Sequence, residues 1–374
     1  MKLMTRTAED TSTLYVAFEL SAGKWKLAFA RKLGEPARIK TVEAGALAAV
    51  TKEVEISKEK LGLPADAAVM SCYEAGRDGF WLHRWLIAQG VESLVIDPAS
   101  IQVDRRARRT KTDRIDAIKL LRALILHAWG QQDWKVVRVP TEVEEDGRRL
   151  HRERERLVGE KGQHQARIRA LLATQGIRTL KVEAKALELR RPWDGAPLPE
   201  QLRQELAREL GRLQLIRTQI KAVEKEIEEG AGHTSRAAQV VRQLRQVKAI
   251  GLVGAQILGY EFFGWRKFTN GRQVGALAGL TGTPHQSGST AHEQGIGKAG
   301  NRRVRTVMCE ISWTWLRYQP DSALAQWYRA RFGDGSGRQR RVGIVALSRK
   351  LLVALWRFVD QGVVPEGAIL RPAT

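Results

Sequence analysis

The sequence predicts an α/β domain over residues 1–135, a helical coiled-coil middle over 141–230 and a mainly α C-terminal domain over 238–374. Three observations carry this. Short apolar runs alternate with helix-periodic segments in the first part, as they do where strands and helices share a partly parallel sheet. In the middle, apolar positions recur three, four or seven apart within a highly charged background, the pattern of a helix seam. In the last part, helical periodicity brackets a polar, Gly-rich stretch.

Composition narrows the partner. The chain has 374 residues, 43% of them apolar, so a substantial core is available. Its net charge is +22, from 63 Lys+Arg against 41 Asp+Glu, and the excess is spread along the chain. That predicts a polyanion, nucleic acid first, bound through its phosphates. No run of about 18 apolar residues is present and the N-terminal MKLMTRTAED lacks a signal-peptide core. The expectation is a cytoplasmic, nucleoid-associated protein with no membrane partner. Cys72 and Cys309 have no CxxC neighbour, so both read as small core residues.

In chain order, Leu14 to Phe18 is a strand ending at Glu19. Trp25 to Ala30 is a second, after the turn Ser21-Ala22-Gly23, and Ile39 to Val42 a third. Val50 to Leu61 reads as a helix stopped by Gly62 and Pro64. Ala67 to Cys72 is a strand running into Tyr73-Glu74-Ala75-Gly76, Asp78 to Gln89 a helix, and Leu94 to Ile96 a strand stopped at Asp97-Pro98.

Arg105 to Ala123 then combines cations with two acids. From Ile101 to Ile125 there are eight Lys/Arg against three Asp. Thr112 is a candidate N-cap, Asp113 and Asp116 share one helix face, and Ile115, Ile118, Leu120 and Leu121 supply the buried side. Acids beside cations suit Mg²⁺ next to a phosphate backbone, since Mg²⁺ takes carboxylate and phosphate oxygens. They equally suit a surface helix whose first-turn acids complement its dipole. Glu19 and Glu74 stand at strand ends, where open α/β sheets collect their chemistry. Convergence of Glu19, Glu74, Asp113 and Asp116 would require a divalent cation to offset their repulsion. Taken singly, each acid reads as a solvated loop residue.

In the middle, Val143, Leu150, Leu157, His164 and Leu171 lie seven apart. After a break at Gln175-Gly176 and a loop near Arg191 to Gly195, a second helix begins near Pro199. Its seam is Leu202, Leu206, Leu210, Leu213, Ile216, Ile220, Val223 and Ile227. His164 reads as an interface residue.

Farther on, Ile250-Gly251-Leu252-Val253-Gly254 resembles a helix-hairpin-helix turn with N–H groups toward a phosphate. Thr281 to Asn301 reads as a long irregular stretch. Ser287 within it could be a nucleophile toward a phosphodiester, with Ser289 as the neighbouring alternative. It also reads as an ordinary turn serine. From Gly297 to Lys350 there are twelve Lys/Arg against three acids. Arg105, Arg106, Arg108, Arg109 and Lys111, together with Lys298, Arg302, Arg303 and Arg305, are the candidate nucleic-acid contacts. Trp313, Trp315 and Trp327 read as core or interface, and Gly343 to Val359 as a closing amphipathic helix.

These motifs resemble the DEDD-type insertion-sequence transposases, a family of RNA-bridged serine recombinases. Lys111-Thr112-Asp113-Arg114-Ile115-Asp116-Ala117 is similar to the family's KTDxxDA signature. Tyr73-Glu74-Ala75-Gly76 resembles the strand end that carries its glutamate. Gly279-Leu280-Thr281, Pro284, Ser287-Gly288 and Gly295-x-Gly297-Lys298-x-Gly300-Asn301-Arg302-x-x-Arg305 resemble its transposase domain. The Ile250-Gly251 region is similar to its hairpin segment. The likeness runs over nearly the whole chain.

The resemblance implies an RNase H-like (RuvC-like) first domain joined by a coiled coil to a serine-bearing domain. Glu74, Asp113 and Asp116 would be metal-associated acids, with Mg²⁺ (or Mn²⁺) as cofactor, and Ser287 the nucleophile. Glu19 stands where the family has Asp, and its extra methylene shifts the carboxylate against the strict octahedral distances of Mg²⁺. Implied partners are target and donor DNA, a guide RNA encoded near the gene, and further copies of the chain in a homo-oligomer (dimer or tetramer). A RuvC-like structure-selective nuclease, with water as nucleophile, and a catalytically weakened nucleic-acid-binding protein are the competing readings.

Overall fold

The structure, a computed structural model, describes residues 12–101, 112–131, 134–179, 184–230, 234–287, 290–297 and 299–372. They form two compact units, 1–140 and 141–374.

The first unit is a five-stranded sheet with helices on both faces. Its elements are β1 (Leu14–Glu19), β2 (Lys24–Ala30), β3 (Arg38–Glu43), α1 (Leu47–Lys60), β4 (Val69–Glu74), α2 (Trp81–Ala88), β5 (Glu92–Ile96) and α3 (Asp113–Ala128). The strand order is β3-β2-β1-β4-β5. β1, β2 and β3 are antiparallel neighbours, while β4 runs parallel to β1 and β5 parallel to β4. Near-continuous burial along β1 and β4 reflects cover on both faces.

Strand alternation sorts the residues. Tyr15, Ala17, Ala28, Ala30, Met70 and Cys72 form one core with α3, whereas Val16, Phe18, Leu27, Phe29 and Tyr73 pack on the opposite face with α1 and α2. The α3 side is rich in small residues, which lets the helix lie close to the strands; Cys72 Sγ comes within 3.8 Å of the Leu120 carbonyl. Burial pushes the Cys72 thiol well up, as suits an inert core residue. The sheet-facing stripe of α3 is Ala117, Leu120, Leu121, Leu124 and Ala128. Ile118, expected on that stripe, is 37% exposed, because it lies one residue and about 100° around the helix from Ala117.

The second unit begins with α4 (Glu142–Asp146), α5 (Arg149–Ala173) and α6 (Glu200–Glu229). α5 and α6 pack antiparallel: Leu157 meets Ile216, Ile220 and Val223, while Ile168 and Leu172 meet Leu206 and Leu213. Val143 is not on this seam. It lies on α4, is 75% exposed, and the chain bends at Gly147, where a Cβ would fall 2.7 Å from the Tyr260 ring. His164 Nδ1 sits 2.6 Å from Glu209 on the facing helix, which fits the interface role expected of it.

Beyond the hairpin come α7 (Arg236–Arg245), α8 (Leu252–Leu258), α9 (Gly271–Leu277), β6 (Gly282–Ser287), β7 (Thr290–Ile296), α10 (Arg302–Tyr318), α11 (Ala323–Phe332) and α12 (Gly337–Gln361). Trp315 is fully buried in their common core, and Ser312 on α10 hydrogen-bonds Ser348 on α12 at 2.9 Å. Four expectations change here. Thr281 to Asn301 is not irregular, since most of it is the antiparallel hairpin β6–β7. Gly254 is buried, and a Cβ there would meet Ile311 at 3.2 Å, so this glycine serves packing against α10. Trp313 is 51% exposed because it points away from the face that buries Trp315. Cys309 is only half-buried.

Candidate active site

Sheet geometry brings two of the four acids together. Phe18 is paired with Tyr73 across the parallel β1–β4 ladder, so Glu19 and Glu74 follow as neighbours at the carboxyl ends of adjacent strands. Strands in a ladder lie about 4.8 Å apart. Glu19 lies two residues beyond Ala17 and Glu74 two beyond Cys72, so alternation assigns both to the α3 face. They share a cavity of about 410 Å³, whose lining also holds Arg77 and Asp78. Asp78 was not among the residues singled out from sequence.

The other two acids occupy the first turn of α3. Thr112 caps the helix, its hydroxyl accepting from Ile115 N at 3.3 Å. Asp113 and Asp116 lie four residues before Ala117 and Leu120, so they extend the sheet-facing stripe by one turn. Leu120 is level with Cys72. Asp116 is about 6 Å back along the helix, and Glu74 about 7 Å forward along its strand. Asp113 and Asp116 thus stand at the start of the helix that covers this face, and Glu19 and Glu74 at the carboxyl ends of two of its strands. Lys119 lies 3.9 Å from Asp116. Among the described residues no three His, Cys, Asp or Glu side chains converge as a metal cage; the acids stand as two pairs. Their donor set is oxygen only, the chemistry that hard divalent cations take.

Ser287 belongs to the second unit. It closes β6 opposite Thr290. Its side chain, like the whole of Ser289, lies outside the described part. The root of this hairpin is tightly built. Gly297 N donates to Thr281 O and Asn301 N to Leu277 O, at 2.9 and 2.8 Å. Gly300 has φ +118, and a Cβ there would lie 2.7 Å from both Gly279 N and Leu277 O, so only glycine fits.

Comparison with known proteins places these features. Residues 241–327 match the model described as Transposase IS116/IS110/IS902 family, and residues 38–175 match a DEDD-type model described as a transposase. The putative transposase y4rJ of Sinorhizobium fredii (strain NBRC 101917 / NGR234) is 42% identical, covering 97% of this chain and 96% of its own. The chain belongs to the IS116/IS110/IS902 family of transposases. A second putative transposase of that organism, y4qE, is 31% identical over 72% of this chain and 64% of its own. The transposase for insertion sequence element IS1533 of Leptospira borgpetersenii is 27% identical over 59% of this chain and 63% of its own.

The transposase is thus an enzyme that cleaves and recombines DNA. Glu74, Asp113 and Asp116 fall in the 38–175 match, and Ser287 in the 241–327 match. Of the candidate phosphate contacts, Arg105, Arg106, Arg108, Arg109, Lys111 and Lys298 lie outside the described residues. Arg302 is exposed on the first turn of α10. Arg303 pairs with Glu155 at 2.5 Å, and Arg305 tucks its guanidinium under Gly279. No helix among the described residues is long and apolar enough to cross a membrane.

A buried polar cluster sits behind the hairpin root. Glu261 lies on a π-helical turn, Gly259–Phe263, closed by Gly264 N to Gly259 O at 2.8 Å. Such turns are frequent at functional sites. Glu261 is 2% exposed. It accepts from Arg152 Nε and Nη2 at 2.6 and 2.9 Å, lies 3.0 Å from His151 Nε2, and accepts from Asn301 Nδ2 at 3.4 Å. Burial alone would raise its pKa; the hydrogen bonds from His151 and Arg152 overcome that and hold the carboxyl far below the usual carboxylate range. Asn301 in turn caps α10, its side chain accepting from Arg303 N and Val304 N. The sequence signal was a lone acid inside the apolar run Gly259-Tyr260-Glu261-Phe262-Phe263.

Proposed function

We propose that the transposase moves its insertion sequence by serine-dependent strand exchange, directed by a structured guide RNA. The supporting observation is that sheet register makes Glu19 and Glu74 neighbours at the carboxyl ends of β1 and β4, while Asp113 and Asp116 occupy the first turn of α3, the helix packed on that sheet. The strand order β3-β2-β1-β4-β5, with three antiparallel strands and two parallel, supports an RNase H-like (RuvC-like) reading of residues 1–135. Residues 141–230 would space and oligomerise the chain, and 238–374 would carry the nucleophile.

Glu19, Glu74, Asp113 and Asp116 would hold Mg²⁺ or Mn²⁺. When bound there, such a cation supplies Lewis-acid charge at a phosphate oxygen. Ser287 Oγ attacks the phosphorus, the P–O3′ bond breaks as the P–Oγ bond forms, and the serine proton ends on the 3′ oxygen. Attack by a 3′ hydroxyl of another strand on the phosphoserine reverses these bonds and restores the serine. Bond energy is conserved, so no nucleotide triphosphate is consumed. In this reading the acids and the serine of one site come from different protomers of a dimer or tetramer.

The test is Ser287→Ala. It should abolish the covalent protein–DNA adduct and leave DNA and RNA binding intact. An adduct that persists in Ser287→Ala removes the serine assignment. Hydrolysed DNA ends without any adduct would favour the structure-selective nuclease instead.

A further inference from the structure

The second unit carries a groove that the proposed chemistry does not use. Its volume is about 940 Å³. One face of α12 forms its floor: Val342, Val345, Ala346, Val353 and Ala354 recur at helical spacing, while Ile344, Leu347, Leu351 and Leu355 on the other face are buried in the core. Gly282, Gly295 and Ile296 at the root of the β6–β7 hairpin form one end. α9 approaches closely because Gly271 and Gly275 carry no side chain; a Cβ at Gly271 would lie 3.0 Å from Val353.

The groove's charge is one-sided. Arg272, Arg349, Lys350 and Arg357 line it, against a single acid, Glu366. Lys350 Nζ lies 4.8 Å over the Trp327 ring. Arg272, Arg349 and Arg357 have no hydrogen-bond or ion-pair partner among the described residues. Arg349 is half-buried, and an unpaired, partly desolvated guanidinium is an unusual thing to keep without an anion. Beside it, Thr281 Oγ1 is buried and also lacks a partner; both atoms lie within 3.3 Å of where a Gly275 Cβ would stand.

We infer that this groove seats one unpaired nucleic-acid strand, with phosphates on Arg272, Arg349 and Arg357 and base and sugar faces against the apolar floor. Arg349 and Arg357 lie eight residues apart on α12, about 12 Å, which is the rise of three to four stacked nucleotides. A duplex would offer the arginines its phosphates but hide its base faces, leaving the floor uncovered. The chain's overall charge of +22 favours a polyanion over an apolar peptide as occupant. The strand would then pass the root of the hairpin whose first strand ends in Ser287. This deepens the strand-exchange reading, yet its binding step needs neither the serine nor a metal.

The experiment uses the full chain without divalent metal. Fluorescence anisotropy follows a labelled oligothymidylate of about 15 nucleotides over a range of salt concentrations. Each phosphate contact on a single strand contributes about 0.7 to the log–log salt slope. The Arg349→Ala/Arg357→Ala pair should therefore flatten the slope by about 1.4 and weaken binding at moderate salt by about tenfold or more. The Arg349→Lys/Arg357→Lys pair should keep the slope, which also shows that the fold survives substitution there. Arg208→Ala/Lys221→Ala, on exposed positions of α6, should change neither slope nor affinity. An unchanged slope in the alanine pair overturns the inference. So does a loss of self-association by sedimentation with strand affinity intact, because the groove would then seat a protein segment. Ser287→Ala should bind the strand like the unaltered chain. A missing adduct with an intact groove effect would fell only the serine chemistry.

Discussion

Replacing Glu261 with Gln tests the buried cluster that ties α5 to the serine hairpin. The carboxylate is 2% exposed and takes two hydrogen bonds from Arg152 and one from His151. Gln keeps the shape, but it removes the charge and turns one acceptor into a donor facing a donor-only guanidinium. Removing one partner of a buried ion pair costs about 3–5 kcal/mol. The Arg152 side chain is 37% exposed and can be rehydrated, which points to the lower end, about 3 kcal/mol at pH 7. With a urea slope of about 2 kcal/mol per molar, the unfolding midpoint should fall by about 1.5 M. Tryptophan fluorescence reads this, with Trp265 and Trp315 in the same unit. The pH dependence follows from the depressed pKa. A carboxylate lowered on folding contributes its stability above the unfolded value of 4.5, and loses it as pH falls toward the folded value. Between pH 4.5 and pH 3 the gap between the two proteins should narrow by about 2 kcal/mol. Equal midpoints at pH 7, or a gap that stays constant down to pH 3, would refute the reasoning.

Other substitutions probe other parts. Gly300→Ala sets a methyl against Gly279 N and Leu277 O at φ +118 and should cost about 3 kcal/mol, read as a lower melting temperature. Thr112→Ala removes the α3 cap and should cost about 1 kcal/mol in urea unfolding. Asp116→Asn should abolish metal-dependent DNA cleavage while barely moving the melting temperature, because the side chain reaches solvent and its ion pair with Lys119 is long, 3.9 Å. Glu19→Asp should retain cleavage and Glu19→Gln should lose it; equal activity of the two would remove Glu19 from the site.

The acids were legible because strand alternation and helix spacing carry direction as well as type. Glu19 and Glu74 stand where apolar runs stop, and Asp113 and Asp116 follow an N-cap, so position could be read from residue order. The hairpin β6–β7 was less legible. Its strands, Gly282 to Ser287 and Thr290 to Ile296, lack the apolar alternation that marks a half-buried strand. The remaining signal was Gly288-Ser289, a two-residue Gly-Ser hairpin pair. Val143 kept the seven-residue spacing of the α5 seam yet lies off it, because spacing does not register the bend at Gly147. The partners of Glu261 are 40 to 110 residues away in sequence, a separation no local pattern encodes.

The central claim is that Ser287 takes the phosphodiester. The direct measurement is mass spectrometry of the tryptic peptide from Gln273 to Lys298, recovered from DNA-linked protein expressed with its native flanking DNA and then digested with nuclease. The expected result is a nucleotide phosphate on Ser287, absent from the Ser287→Ala variant. A nucleotide on another residue, or cleaved DNA with that peptide unmodified, would contradict it.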